Sequence, residues 1–582
     1  MLIASRFMKE KLWTLLRESF FFAVCLTFAF IFYIIHMGGV ERLNPRNFQW
    51  ISGDNSLSYI SQLYFLSDSW RFPLGINPNY GLEVSTSLTY TGPPLPMMLL
   101  QKILGVAPEL QFFGLWLLLC LHLQIFIGFK LARLLGGDVM SSLIFGLLQV
   151  TPFLLMRMQI HYWLAGHFLI LFSLYILVTY FKTNRVLYLS TFCVLFISYT
   201  VHSYLLLFSL IIFFAICIDD FVRSKRKLRF HLKKYLGLLV LTPVISYFLL
   251  DALSSGSGSI LEKVRMNFTG QYSFYPSNLL APFNPEVGFA RDCSEYHCMF
   301  GNSIPNNIVS NFSVFSIDLG GVQGNEDGYL YLGAGVFFMV LAVVSYLVRK
   351  SVLTKRLIET LSGFKHLIVY LSFVYLFSIT NRVTIGSLEL HLEIPKILRW
   401  ALSVFRGTGR FGWIIAYVIV AFVFFLAVTI FKPNTLRVVM LLSLIIQIFD
   451  FSKPLYTHYS NASNEIVRSF AYSPELDRTF RDLSKGKQIM RAFPSSSMQG
   501  FPALSYLAWR NGLSTNLAQS ARFNYAESRR IDTNLLSQLC SRSVDKNVIV
   551  VIPSNAVSAL AGCPTVLIPD RVVDNFNFYS NR

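Results

Sequence analysis

The sequence predicts a polytopic α-helical membrane protein of about eleven transmembrane helices, followed by a small external α/β domain. Three observations predict it. Of 582 residues, 54% are hydrophobic, 15% aromatic and only 14% charged, whereas soluble domains carry about 25% charged residues. Apolar runs of about 20 residues recur along the chain, the length a helix needs to cross the hydrocarbon core, and mean hydropathy is +0.52. Lys and Arg fall between alternate runs, so the net charge of +19 reads as membrane topology, and no nucleic acid is expected as a partner. Disordered, collagen-like and coiled-coil classes are excluded by the same pattern.

Arg6, Lys9, Lys11 and Arg17 precede the first apolar run, 18–39. That run is too long for a secretion signal and no small-residue cleavage site follows it, so it reads as an uncleaved helix with a cytoplasmic N-terminus. The next spans are expected at 109–131, 139–157, 163–181, 186–200, 202–219, 236–253, 329–348, 365–380, 411–431 and 435–450. Lys130 and Arg133, Lys182 and Arg185, the run from Arg223 to Lys234, the group from Arg349 to Lys365, and Lys432 with Arg437 then all fall on the cytoplasmic side, as the positive-inside rule requires. Residues 94–105 are apolar but short and open with prolines, so they read as an interface helix.

The transmembrane domain is expected over 1–450, with large external loops at 40–108 and 254–328 and a shorter one at 381–410. The external tail, 451–582, alternates apolar segments such as Lys487–Phe493 and Val548–Pro553 with helix-like runs. Cys25, Cys120, Cys193 and Cys217 fall in spans and read as buried thiols. Cys293, Cys298, Cys540 and Cys563 fall outside, where pairing within each segment gives Cys293–Cys298 and Cys540–Cys563 in an oxidising compartment.

The polar residues at the external span ends are the candidates for chemistry. Asp54 follows Gly53 in the first external loop; a carboxylate at the membrane surface can accept a proton from an attacking hydroxyl, and the plainer reading is a helix N-cap. His161, His167 and His202 lie at external turns, where they suit hydrogen bonds to a phosphate, a divalent cation, or capping of helix ends. Arg406 and Arg410 bracket Gly407-Thr408-Gly409. Guanidinium groups bind phosphate bidentately and glycine lets backbone N–H groups approach it; snorkelling to lipid headgroups is the alternative. Gly324-Asn-Glu326-Asp327-Gly328 reads as a turn with two solvated acids or as a sugar or cation site. No Walker A, GxSxG or HExxH motif points to another chemistry.

The order of a first span, a long external loop with an early acid, interface helices, many spans and an external tail resembles the GT-C superfamily of membrane glycosyltransferases. Smaller motifs are similar to those of a bacterial family of that architecture: Gly53-Asp54, Trp70-Arg-Phe-Pro-Leu-Gly75, His161 with His167, Val201-His202-Ser-Tyr-Leu205, Gly328-Tyr-Leu-Tyr-Leu-Gly333, Phe405-Arg406-Gly-Thr-Gly-Arg410-Phe-Gly-Trp413 and Ala521-Arg522. Where that family tends to carry Asp-Ser before a proline, this chain has Thr91-Gly92-Pro93-Pro94; the role of that acid would pass to Asp54 or Glu83, or be absent.

The resemblance implies a polyprenyl-phosphate sugar as donor and a glycan or lipid as acceptor in the bacterial inner membrane, with the tail extracytoplasmic. Asp54 would activate the acceptor hydroxyl. Arg406 and Arg410 would hold the leaving phosphate, with His161, His167, His202 and Glu83 as further substrate ligands. No nucleotide is needed on that side, and the one candidate cofactor is a divalent cation. A non-enzymatic carrier of lipid-linked glycans is the alternative; carriers commonly show inverted repeats and ionisable groups at mid-span, and neither is evident here.

Overall fold

The computed structural model describes residues 2–83, 94–224, 235, 237, 240, 242–250, 272, 276–285, 325–349, 358, 361–403, 405, 407–464, 470–495, 501–518, 525–560, 563 and 569–580. Most of them are helical. Among the described residues, six helices are long and apolar enough to cross a membrane: Leu16–Met37, Phe113–Leu135, Tyr162–Thr183, Ser203–Arg223, Thr408–Ile430 and Pro433–Ser452. A bent pair, Val139–Leu148 and Pro152–Ile160, makes a seventh if counted as one span.

Eleven spans are therefore not supported, and the reasons are local. The 139–157 run bends by 47° where Pro152, lacking an N–H, opens a new helix. The 186–200 run forms a 14-residue helix, Tyr188–Val201, ended by extended backbone at His202. In the 329–348 run the helix begins only at Ala334 and has 16 residues, and Lys365–Ile379 has 15. Helices of about 21–24 Å fall short of a hydrocarbon core about 30 Å thick. Of 236–253 the structure describes the helix Thr242–Leu250, and 251–253 lie outside the described residues. The interface segment is nine residues, Leu95–Ile103, too short to cross.

The bundle has two distinct ends. At one, Lys130 pairs with Glu18, Arg437 with Asp138, and Arg223 and His366 with Asp219. Short caps hold this end: Asp138 accepts from the backbone N–H groups of Met140 and Ser141, and Gly136, at φ +104°, closes the preceding helix in a left-handed turn. The described basic connections gather here. At the opposite end the Arg42 backbone abuts Gly114, Trp116 donates to the Tyr162 carbonyl, and every described candidate site residue is found.

The tail carries a five-stranded sheet in the order β4-β3-β5-β7-β6, from β3 (Ile489–Ala492), β4 (Ser514–Thr515), β5 (Val548–Pro553), β6 (Arg571–Val573) and β7 (Phe576–Ser580). β3 runs parallel to β4 and β5, and β7 antiparallel to β5 and β6. β5 is buried along its whole length, as expected of a strand with both faces covered. Cys540 and Cys563 form a disulfide, and Cys293 and Cys298 lie outside the described residues. The Pro433–Asn464 helix runs without a break through position 450, so no linker separates bundle from tail there.

The sheet also receives the first loop. Gly81 donates to the Thr515 carbonyl and Thr515 to the Asn79 carbonyl, which lays residues 79–81 beside β4 through a parallel Tyr80–Thr515 bridge. Tyr64 donates to the Leu513 carbonyl and Trp509 to the Ser67 hydroxyl. The tail is thereby stitched to the site end of the bundle.

Candidate functional site

The helix Asp54–Ser67 begins after Gly53, whose φ of +55° and ψ of −139° place it at the N-cap position. That backbone favours glycine, and it makes Asp54 the first helical residue rather than the cap. Asn55, fully buried, fixes the helix start against a second element. Its amide donates to the carbonyls of Gln159 and Ile160 at 3.2 and 3.0 Å, and its carbonyl accepts from the Tyr162 N–H at 3.1 Å. The start of the first-loop helix is thus clamped to the turn that carries His161.

From that turn a polar chain leads into the bundle. The Arg157 Nη1 donates to the His161 Nδ1 at 3.0 Å. Arg157 also pairs with Asp327 at 2.9 Å, and Arg410 binds the other oxygen of the same carboxylate at 2.6 Å. The side chains of Arg157, Asp327 and Arg410 are 1%, 7% and 12% exposed. Each guanidinium lies over an aromatic ring: Arg157 is 5.1 Å from the centre of Trp413, and Arg410 is 4.8 Å from Tyr204. Cation–π attraction strengthens as water is excluded.

Burial alone would raise the Asp327 carboxyl above its ordinary range. The charges of Arg410, Arg157 and His161 and the hydrogen bond from Arg410 outweigh it and hold the group well below that range. Asp327 is therefore an ion at any ordinary pH. The expectation of two solvated acids in this turn fails for Asp327, which is buried; the side chain of Glu326 lies outside the described residues.

The glycines around Arg410 serve packing. A Cβ on Gly409 would lie 2.5 Å from the Cα of Gly328, so the turn bearing Arg410 and the turn bearing Asp327 meet backbone to backbone. Only glycine permits that approach. The Gly407 N–H donates to the Tyr204 hydroxyl at 2.8 Å. The close approach of Gly409 to Gly328 thus brings Arg410 to Asp327.

Residues 25–452, most of the chain, match the family model described as Domain of unknown function (DUF6311). The chain belongs to this family. No curated protein matches it. The matched DUF6311 region contains the whole network from Asn55 to Arg410, while the tail sheet lies beyond it.

The other expected site residues of this DUF6311 chain are distributed unevenly. His167 is fully buried, its Nδ1 3.0 Å from the Tyr417 hydroxyl and its ring 4.6 Å from that of Trp413, the ring over which Arg157 also lies. His202 accepts at Nδ1 from the Tyr204 N–H and so caps the next helix. Glu83 forms a bidentate pair with Arg491 at 3.2 and 2.7 Å, joining the DUF6311 region to the tail. Arg406 and the side chain of Asp54 lie outside the described residues. Among the described residues no three His, Cys, Asp or Glu side chains gather as a metal site.

Sequence reasoning passed over Arg157 and Asn55. A signal for the first was present: Arg157 closes the expected 139–157 run at the end away from the basic connections, against the positive-inside bias. Asn55 offered no local signal, since its partners lie on a distant turn.

Proposed function

We propose that the protein is a GT-C-type glycosyltransferase that moves a sugar from a polyprenyl-phosphate donor to an extracytoplasmic glycan or lipid acceptor. One observation carries the reading: the start of the first-loop helix and the Arg410 turn belong to one connected polar network at one end of a membrane bundle. A lipid-linked phosphate presents its headgroup at such an end. Arginine suits phosphate by fork geometry and permanent charge, and Arg410 is the more open of the two guanidinium groups on Asp327.

In the proposed reaction the Asp54 carboxylate takes the proton of the acceptor hydroxyl as its oxygen bonds to the anomeric carbon. The bond from that carbon to the phosphate oxygen breaks, and polyprenyl phosphate leaves with the electron pair. Arg410, and Arg406 in the same motif, stabilise the charge that develops on the phosphate. Asp327 keeps Arg410 in place through an ion pair, and Glu83 holds the tail beside the first loop. On this reading the site end faces outward and the basic end the cytoplasm of a bacterial inner membrane.

The test is transfer of labelled sugar from a synthetic polyprenyl-phosphate donor in proteoliposomes, comparing wild type with Asp54→Asn. Loss of a general base costs about 10²–10⁴-fold in rate. Wild-type transfer by a correctly inserted Asp54→Asn protein would remove Asp54 from the chemistry. Movement of the donor across the bilayer without transfer would replace the enzyme with a carrier.

A further inference from the structure

The segment after Ile379 shows an apolar surface that the helical bundle does not cover. β1 (Arg382–Ile385) and β2 (Leu388–His391) form an antiparallel hairpin. Alternation along β2 separates two faces. Glu389 points to one face, where Arg382 binds it bidentately at 2.6 and 3.0 Å. Leu388, Leu390 and the following Leu392 line the other and are 72%, 59% and 48% exposed. The short helix Lys396–Leu402 buries none of its residues, and its Ile397 and Trp400 are 77% and 55% exposed.

In water so many exposed large apolar side chains in one short segment mark an interaction site or an aggregation hazard. Depth identifies the occupant. The Lys365–Ile379 helix starts at the basic end, where His366 meets Asp219, and its 15 residues rise about 22 Å. Against a hydrocarbon core about 30 Å thick, it ends about 8 Å short of the opposite boundary. The hairpin follows within three residues of that point, and Phe373 and Leu376 of the same helix are exposed as well.

Open sheet edges are not tolerated in bare hydrocarbon, and the β1 edge and the turn of this hairpin are anchored against protein. Thr384 accepts from the Leu279 N–H, and Asn278 exchanges hydrogen bonds with the backbone of Gly386. Lys396 and Arg399 stand in the same short helix as Trp400. Basic and tryptophan side chains together favour the headgroup boundary of an anionic leaflet.

We propose that residues 382–402 form a platform immersed in the leaflet at the site end. Leu388, Leu390, Leu392, Ile397 and Trp400 lie among the acyl chains of anionic phospholipid, and Lys396 and Arg399 lie at its headgroups. The helix that leads into the platform adjoins the Arg410 turn: its Phe377 packs on Phe405 and Phe411, with ring centres 5.4 and 5.0 Å apart. The proposal stands whether or not the chain transfers sugars.

The experiment uses the full chain in nanodiscs of phosphatidylglycerol and phosphatidylethanolamine. Cys193 and Cys217 are replaced by serine, and a nitroxide is attached at Leu390→Cys, Ile397→Cys or, as a water-exposed control, Arg571→Cys. Power-saturation spectroscopy reads collision with oxygen, which concentrates in lipid, against a water-soluble nickel chelate. Labels at 390 and 397 are expected to favour oxygen and the label at 571 to favour nickel. Nickel preference at 390 and 397 would put the platform in water. Exclusion of both probes there would put a second copy of the chain on it, and either result overturns the proposal.

Discussion

Asp327→Asn is the sharpest perturbation of the ionic network. The substitution keeps the shape of the side chain and removes the charge that two guanidinium groups share. Arg157 is 1% exposed and Arg410 12%, so neither recovers much hydration in place of the carboxylate. Removing one member of a buried pair typically costs about 3–5 kcal/mol, most of it from the charge left behind. Here two cations remain, and one oxygen that accepted from a guanidinium becomes an amide nitrogen that cannot. The assay is the temperature at which half of the purified protein in detergent loses its monodisperse size-exclusion peak. Asp482→Asn serves as control: Asp482 pairs with Lys485, and both side chains are at least 70% exposed, where an ion pair contributes about 0–1 kcal/mol. Asp327→Asn should lower the midpoint well beyond the control. Equal midpoints would refute the network as a structural centre of the site.

Because the Asp327 carboxyl is held below its ordinary range, its contribution is fully present above the unfolded value of about 3.9 and is lost as pH falls through the folded value. The stability gap between wild type and Asp327→Asn should therefore not shrink from about pH 8 to pH 5, and any charge that His161 gains beside Asp327 widens it; a gap that closes across that window would contradict the assignment. Gly409→Ala should destabilise by about 1–3 kcal/mol through overpacking against the Gly328 backbone, read as a lower midpoint in the same assay, and a wild-type midpoint would show that the two turns can part. The Cys540–Cys563 bridge closes a 23-residue separation, worth about 3 kcal/mol to the tail in a chain-entropy account. The double serine variant should be cleaved faster in the tail under limited proteolysis, and unchanged cleavage would deny the bridge a stabilising role.

The sequence made some features readable and concealed others for physical reasons. The basic connections could be sorted to one end because charge placement depends only on local composition and alternation. The Cys540–Cys563 pair and the mixed sheet of the tail were also within reach, as cysteine position and apolar runs such as Val548–Pro553 are local signals. Span counting failed because hydropathy does not distinguish a continuous helix from one broken at Pro152, or from the non-helical stretch Tyr329–Gly333 that precedes Ala334. Arg410 stands out in sequence by its flanking glycines, but the backbone contact of Gly409 with Gly328 has no sequence signal, because the two turns lie far apart along the chain. His167 and His202 illustrate a related limit. A histidine at a span end looks the same in sequence whether it faces a cavity, packs on Trp413 or caps a helix. Asp327 was seen as a turn acid because its partners, Arg157 and Arg410, come from separate elements far along the chain.

The most direct measurement of the central claim is photolabelling in proteoliposomes with a polyprenyl phosphate bearing a diazirine near its headgroup, mapped by peptide mass spectrometry. The account predicts crosslinks in the segments 48–55, 159–163 and 405–413. Labelling confined to the basic end, around Lys130 or Arg223, would contradict it.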